Sequence, residues 1–323
     1  MTAFTLDVHL TGEELARALA ADVRAGLTAT PKELPPKWFY DAEGSRLFEE
    51  ITRLPEYYPT RREEAILATR AGQIAELTGA DTLVELGSGT SQKTRWLLDG
   101  LRSAGRLRRF VPFDVDEITL RRAAADIVAS YPGLEVHAVC GDFERHLGLL
   151  PGGGRRLIAF LGGTVGNLRP AARKAFFTDL RSGLEAGDAL LLGTDLVKEP
   201  ARLVAAYDDS AGVTAAFNRN VLQVVNAALD ADFIPTAFDH RALFDPDEQW
   251  IEMHLVAREK MTVHIGGLDL AVQFTAGESM RTEISAKFTR ATVSAELGEA
   301  GLALQHWWTD PVGDYALSLA VPA

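Results

Sequence analysis

Five short apolar runs, each followed by a turn and a helix-like stretch, constrain this chain more than any other feature. They occupy residues 82–86, 110–113, 135–139, 157–161 and 189–193. Predominantly apolar runs of this length read as strands buried on both faces, and the helices between them make parallel βαβ units. The first four runs end at Gly87-Ser88-Gly89, Asp114-Val115-Asp116, Cys140-Gly141-Asp142-Phe143 and Gly162-Gly163-Thr164. Ligands of open α/β sheets sit beyond the carboxyl ends of such strands, so these turns are the first place to look for chemistry.

The flanking sequence has a different texture. Thr11 and Glu14 have capping-box spacing, and Leu15, Leu19 and Val23 recur on one helical face. A proline-rich link at Leu34-Pro35-Pro36-Lys37 precedes expected helices at 45–52 and 60–77, and 201–229 is expected to be helical. Met261, Val263 and Ile265 alternate, as do Leu268, Leu270, Val272 and Phe274 after Gly266-Gly267, which predicts a β-hairpin, with residues 250–256 as a third antiparallel strand. A helix over 289–300 and two strands, 304–308 and 315–321, close the chain. The expected organisation is a split one. Residues 1–62 with 198–286 form an α+β substrate-binding domain, and 63–197 with 287–323 form the parallel α/β domain with a terminal antiparallel hairpin.

The bulk properties exclude several classes. A net charge of −12 argues against a nucleic-acid groove, which needs a basic stripe. The one cysteine, Cys140, cannot form an intrachain disulfide. No apolar run approaches the roughly 20 residues of a membrane helix. Residues 1–10 lack a basic segment followed by an apolar one. The seven histidines form no close i, i+4 pair, so no metal is expected. The expectation is a cytoplasmic monomer without nucleic-acid or membrane partners.

The turn Gly87-Ser88-Gly89 admits three cofactors. A nicotinamide site wants a glycine where Gln92 stands, and a phosphate-binding loop wants a glycine there before Lys93-Thr94. S-adenosylmethionine needs only the glycine turn and an acid ending the second strand, which Asp114 supplies for the ribose hydroxyls. Asp142 is placed to accept from the adenine amino group, with Phe143 flanking the ring. The competing role for both aspartates is helix N-capping. The layout is that of a class I, Rossmann-like methyltransferase.

Several segments then carry a more specific resemblance. They are Pro36-Lys37-Trp38-Phe39-Tyr40-Asp41, Leu54-Pro55-Glu56-Tyr57-Tyr58-Pro59-Thr60, Val84-Glu85-Leu86-Gly87-Ser88-Gly89-Thr90, Gly162-Gly163-Thr164-Val165-Gly166-Asn167, Ala215-Ala216-Phe217-Asn218-Arg219-Asn220, Thr282-Glu283-Ile284-Ser285-Ala286-Lys287-Phe288 and His306-Trp307-Trp308-Thr309-Asp310. In these the chain resembles the histidine-specific Nα-methyltransferases of ergothioneine biosynthesis. The resemblance implies three successive methyl transfers from S-adenosylmethionine to the α-amino nitrogen of L-histidine, giving hercynine, in a class I core with a second domain that closes over the amino acid. The alternative is an N-methyltransferase acting on another amino acid. By position, Gly87, Lys93, Asp114, Asp142 and Phe143 are implied as cofactor residues. Tyr57, Asn167, Tyr207, Glu283, Ile284 and Ser285 are implied for histidine, with Tyr40, Phe217 and Met253 lining the same pocket. Tyr40, to orient the amine or relay a proton through water, and Asn167, to hold the carboxylate and the amine, are the catalytic candidates.

These residue types suit the chemistry. An asparagine offers a donor and an acceptor to an amino acid's carboxylate and amine, and a carboxylate two residues from a hydroxyl matches the two nitrogens of an imidazole. Aromatic faces at Tyr40, Tyr57 and Phe217 suit a product that ends as a fixed cation. On pattern alone, Glu283 is a solvated charge and Met253 a core residue; the resemblance assigns them to the pocket.

Overall fold

The computed structural model describes residues 4–323, which form two compact units. The first unit comprises the described residues through Leu10, Pro59–Val197 and Phe288–Ala323; the second comprises Thr11–Tyr58 and Lys198–Lys287.

The first unit is built on an eight-stranded sheet. Across it the strands run Thr5–Val8, Glu135–Cys140, Arg109–Asp114, Thr82–Leu86, Arg156–Phe160, Ala189–Asp195, Tyr315–Pro322 and Leu302–Thr309. The first six are mutually parallel and the last two antiparallel. Five runs expected from the sequence stand together at its centre. Their apolar continuity has the expected cause: every residue of Thr82–Leu86, Arg156–Phe160 and Ala189–Asp195 is buried. The terminal hairpin is present, with a register shift between Leu304 and His306.

The N-terminal strand was not expected. Thr5–Val8 pairs in parallel with Glu135–Cys140 at the sheet edge, and His137 Nε2 lies 2.7 Å from Asp7 Oδ2. Residues 4–10 therefore belong to the parallel sheet rather than to the segment 1–62 with which they were grouped, and residues 1–3 of that grouping lie outside the described residues. A four-residue strand with the polar Thr5 and Asp7 on one face is too short for periodicity to reveal.

The second unit packs helices Gly12–Thr28, Ala42–Ile51, Pro200–Tyr207 and Val213–Leu229 with a four-stranded sheet ordered Lys32–Glu33, Ser279–Ala286, Trp250–Ala257 and Phe238–Asp245. Thr11 and Glu14 close the capping box expected at the first of these helices. The expected hairpin forms from Met261–Ile265 and Leu270–Phe274, with Val263 opposite Val272. It is a separate two-stranded sheet, however. Trp250–Ala257 is not its third strand but pairs with Phe238–Asp245 and Ser279–Ala286 instead. Alternation shows that a strand has one wet face; it does not choose the partner. Among the described residues no helix is long and apolar enough to cross a membrane.

One glycine permits a close backbone approach within the second unit. A Cβ on Gly44 would lie 1.7 Å from the Phe39 carbonyl oxygen, so helix Ala42–Ile51 can follow the turn Pro36–Phe39 this closely only without a side chain there. Gly72, in helix Pro59–Thr78, has nothing within 4 Å of the same position. Gly44→Ala is expected to cost about 1–3 kcal/mol by overpacking, and Gly72→Ala to gain about 0.5–1 kcal/mol from helix propensity. Thermal melts of the two variants should therefore shift in opposite directions.

Candidate active site

In the first unit, the strand Thr82–Leu86 runs into a turn in which Gly87 and Gly89 take φ of +66° and +48°. Side chains rarely tolerate this region. A Cβ at either glycine would meet no protein atom within 4 Å, so the backbone of the turn is uncovered. Ser91 also takes a positive φ, +53°. The Ser88 and Ser91 hydroxyls are buried without a hydrogen-bond partner. Buried polar atoms are rarely left so, and their concentration around one turn marks it as functional rather than merely connective.

Asp114 ends the neighbouring strand. Its Oδ2 accepts the Gly89 N–H at 2.8 Å and its Oδ1 the Asp116 N–H at 3.0 Å. Each oxygen keeps a lone pair for a further donor, which suits a vicinal diol. Helix Glu117–Ser130 is capped by Asp116, which accepts from Ile118 and Thr119, so the capping role falls to Asp116 and not to Asp114. Burial raises the Asp114 carboxyl above its ordinary value, against the N–H groups of Asp116 and Gly89, which lower it. Asp142 organises its own turn, accepting the Glu144 N–H at 2.9 Å while its N–H donates to His146 Nδ1 at 3.0 Å. Phe143 lies edge-on to Phe160 and Phe176, with ring centres 5.2 and 5.8 Å away.

Lys93 pairs with Glu63, a carboxylate the sequence reading passed over. Glu63 is fully buried; its Oε1 accepts the Gly162 N–H at 2.8 Å and the Tyr315 hydroxyl at 3.0 Å. A Cβ on Gly193 would sit 2.2 Å from that oxygen. Nothing in the sequence distinguishes Glu63 from its helical neighbours Arg62 and Glu64. Asn167 closes the short turn Thr164–Asn167, set by Gly162 and Gly163 at φ +77° and +71°.

The second unit gathers the other candidates. Tyr40 and Phe217 stand edge-on at 5.6 Å, Phe217 lies 6.0 Å from Phe48, Phe48 6.1 Å from Tyr57, and Tyr57 6.2 Å from Tyr207. The rings thus form a continuous aromatic run. At its end Tyr207 Oη lies 2.7 Å from Ser285 Oγ, and Lys287 Nζ donates to both, at 3.0 and 2.8 Å. On strand Ser279–Ala286, Glu283 is directly opposite Met253, which is 1% exposed. Alternation puts Glu283 and Ser285 on one face and Ile284 on the other, opposite Glu252. Of the three, Ile284 therefore presents its backbone, and not its side chain, to that face. Lys287 was missed, although it is the next position on the same face.

A polar lattice stands behind Tyr207. Asn218 donates to His240 Nδ1 at 2.8 Å and to the His254 carbonyl at 3.1 Å, and its own oxygen accepts from Thr282 at 2.7 Å. His240 Nε2 then lies 2.8 Å from the Tyr207 carbonyl and, with Nδ1 accepting, is the donor there. Burial lowers the His240 pKa, which favours this neutral form. Among the described residues no group of three or more His, Cys, Asp or Glu is placed to hold a metal ion.

An open parallel sheet with an antiparallel hairpin at one edge, a glycine turn on a central strand and a carboxylate on the next defines a class I S-adenosylmethionine-dependent methyltransferase. The uncovered glycine backbone, the two unpartnered hydroxyls and Asp114 fit that co-substrate. Residues 19–322 match the profile of the histidine-specific, S-adenosylmethionine-dependent methyltransferases, and the chain belongs to that family. It is 63% identical to a histidine N-alpha-methyltransferase of Mycolicibacterium smegmatis, over 97% of this chain and 98% of that one. It is 59% identical to the enzyme of the same name from Mycobacterium tuberculosis, over 94% of each. An N-methyltransferase of Aspergillus fumigatus, fsqC, is 29% identical over 97% of this chain and 86% of its own length.

Glu85, beneath the glycine turn, gives this unit a pH signature. Burial pushes its carboxyl up to about 8 from 4.5, although Thr94 donates to it and Lys93 lies nearby. Its folded pKa is raised, so its contribution to stability is complete below pH 4.5. Between 4.5 and 8 the unfolded chain releases a proton that the folded one keeps, and stability falls. Glu85→Gln removes this loss. Its melting midpoint relative to the parent protein should rise steadily from pH 5 to pH 8 in scans without co-substrate; a constant difference would contradict the assignment.

Proposed function

We propose that this chain transfers three methyl groups in succession from S-adenosylmethionine to the α-amino nitrogen of L-histidine, producing hercynine, in the cytoplasm. The observation that carries the choice of substrate is the shared face of Glu283 and Ser285, with buried Met253 opposite Glu283. A carboxylate, a hydroxyl and an apolar side chain are what an imidazole requires of a pocket. The names of the two mycobacterial relatives, both similar over nearly their full length, support the same choice.

The co-substrate supplies an electrophilic methyl group on a sulfonium. What this chain contributes is binding, alignment and solvent exclusion. A free α-amino group has a pKa near about 8, so a fraction is neutral at physiological pH and no strong base is needed. Alignment in a dry site then accounts for most of the rate. We assign Gly87, Asp114, Asp142 and Phe143 to the adenosine portion. Lys93 is assigned an indirect part, holding Glu63 and through it the Gly162 turn. Asn167 is assigned the substrate carboxylate and amine, Tyr207 a further donor to the carboxylate, and Tyr40 the orientation of the amine. The faces of Tyr40, Tyr57 and Phe217 favour the growing cationic character of the methylated nitrogen.

Purified protein with S-adenosylmethionine and L-histidine should yield the trimethylated product, with all three methyls on the α-nitrogen by tandem mass spectrometry. Methylation of the ring, or turnover of another amino acid in place of histidine, would refute the reading. Glu283→Ala should raise KM for histidine by about tenfold or more, since a ring N–H then loses its acceptor. Its affinity for S-adenosylmethionine should be unchanged.

A further inference from the structure

We infer that Asn220 is a positioning residue: it clamps Asp41 and so holds Tyr40 in register with the strand that carries Glu283 and Ser285. The inference rests on the reading of Tyr40 as the group that orients the substrate amine.

Two of the segments that stand out in the sequence meet here, Pro36-Lys37-Trp38-Phe39-Tyr40-Asp41 and Ala215-Ala216-Phe217-Asn218-Arg219-Asn220. One oxygen of Asp41, Oδ1, accepts from the Gly44 N–H at 2.7 Å and from Asn220 Nδ2 at 2.7 Å. The first bond caps helix Ala42–Ile51. The second ties that cap to helix Val213–Leu229, across 179 residues of sequence. Asn220 is 6% exposed, and its Nδ2 lies 3.2 Å from where a Cβ on Gly44 would stand, so the glycine leaves room for the clamp as well as for the Phe39 carbonyl.

The same helix is tied to the sheet that carries the ring-reading residues. Phe217 lies three residues before Asn220 and so on the same helical face. Its ring stands 5.6 Å from that of Tyr40 and 4.7 Å from that of Phe39. Asn218 accepts from Thr282, the residue before Glu283, at 2.7 Å, and Arg219 donates to the Phe238 carbonyl at 2.8 Å. Four consecutive residues, 217–220, thus hold the Tyr40 segment on one side and the four-stranded sheet on the other. In the proposed site the strand Ser279–Ala286 receives the imidazole and Tyr40 the amine, so this stretch of helix sets the spacing between the two ends of the substrate.

Ring packing alone does not fix Tyr40, which keeps 39% of its surface exposed where Phe217 keeps 3%. It follows the turn Pro36–Phe39 and directly precedes the cap residue Asp41, so its backbone is fixed through those two neighbours. Loss of the Asn220 bond leaves the cap on Gly44 intact but lets the segment shift along helix Val213–Leu229. A misplacement of about 1 Å costs an aligned reaction up to about a hundredfold in rate. Ground-state binding is spared, because Glu283, Ser285 and Tyr207 are untouched.

The test is steady-state methylation of L-histidine by the full chain, with kcat and KM resolved and S-adenosylhomocysteine affinity measured by calorimetry. Asn220→Ala should lower kcat about tenfold, with KM for histidine within about twofold of the parent protein and S-adenosylhomocysteine affinity unchanged. Asp41→Ser still caps its helix but is too short to reach Asn220, and should show the same loss. Asp41→Asn keeps both the cap and the acceptor and should retain most of the parental kcat. The losses in Asn220→Ala and Tyr40→Phe should not add in the double variant, because one acts through the other. Should Asn220→Ala fail to fold, seen as a lost thermal transition, Asp41→Ser must show the fall in kcat by itself. Parental kcat in folded Asn220→Ala or in Asp41→Ser, a raised KM in place of a lowered kcat, or full additivity with Tyr40→Phe overturns the role of Asn220 alone. Parental kcat in Tyr40→Phe overturns the reading of Tyr40, and the positioning role falls with it.

Discussion

The buried carboxylate of Glu63 is the interaction on which the first unit's functional face depends. It comes from helix Pro59–Thr78 and receives the Gly162 N–H, the Tyr315 hydroxyl and the Lys93 ammonium. Those donors come from the end of one central strand, from the terminal hairpin and from the turn that starts helix Thr94–Ser103. A carboxylate buried this completely is tolerable only with several donors around it, and removing one of them leaves the burial penalty to be offset by the rest. The arrangement also dictates a void of side-chain volume at Gly193, where a single methyl would overlap the carboxylate. The glycine turn at 87–89 is flanked by this cluster, so its uncovered backbone is held by contacts that are not themselves in the turn.

The second unit uses polar burial differently. There the lattice of Asn218, Thr282 and His240 is neutral, and it ends on the Tyr207 backbone. The side chain of the same tyrosine meets Ser285 and Lys287. Tyr207 is thus held at both its carbonyl and its hydroxyl, while the aromatic run from Tyr40 to Tyr57 packs beside it. Networks of this kind rigidify a site, because each member is held by several polar partners at once.

Much of this was legible in the sequence where one residue's neighbours along the chain decide its state. Strand 157–161 announces itself because burial on both faces demands unbroken apolar residues, and strand 82–86 nearly so, with the one buried acid Glu85. The turn Gly87-Ser88-Gly89 is visible because positive φ selects glycine. Glu283 and Ser285 share a face because strands have a period of two. The same period places Lys287 next on that face, although no role was read for it from the sequence. The edge strand Thr5–Val8 was invisible because four residues carry too little pattern to signal pairing.

Sequence by itself therefore determined the central parallel sheet, the glycine turn, the acid on the second strand and the family resemblance. All of these follow from local periodicity, backbone sterics or motifs contiguous in the chain. Only the tertiary structure decided that Trp250–Ala257 joins a four-stranded sheet, that Asp116 and not Asp114 caps its helix, and that Glu63 and Lys287 are buried among polar partners rather than facing water. Such outcomes depend on partners up to 252 residues away, as Tyr315 is from Glu63. The free energy of a buried charge is set by the donors that surround it in space, which its neighbours in sequence do not specify.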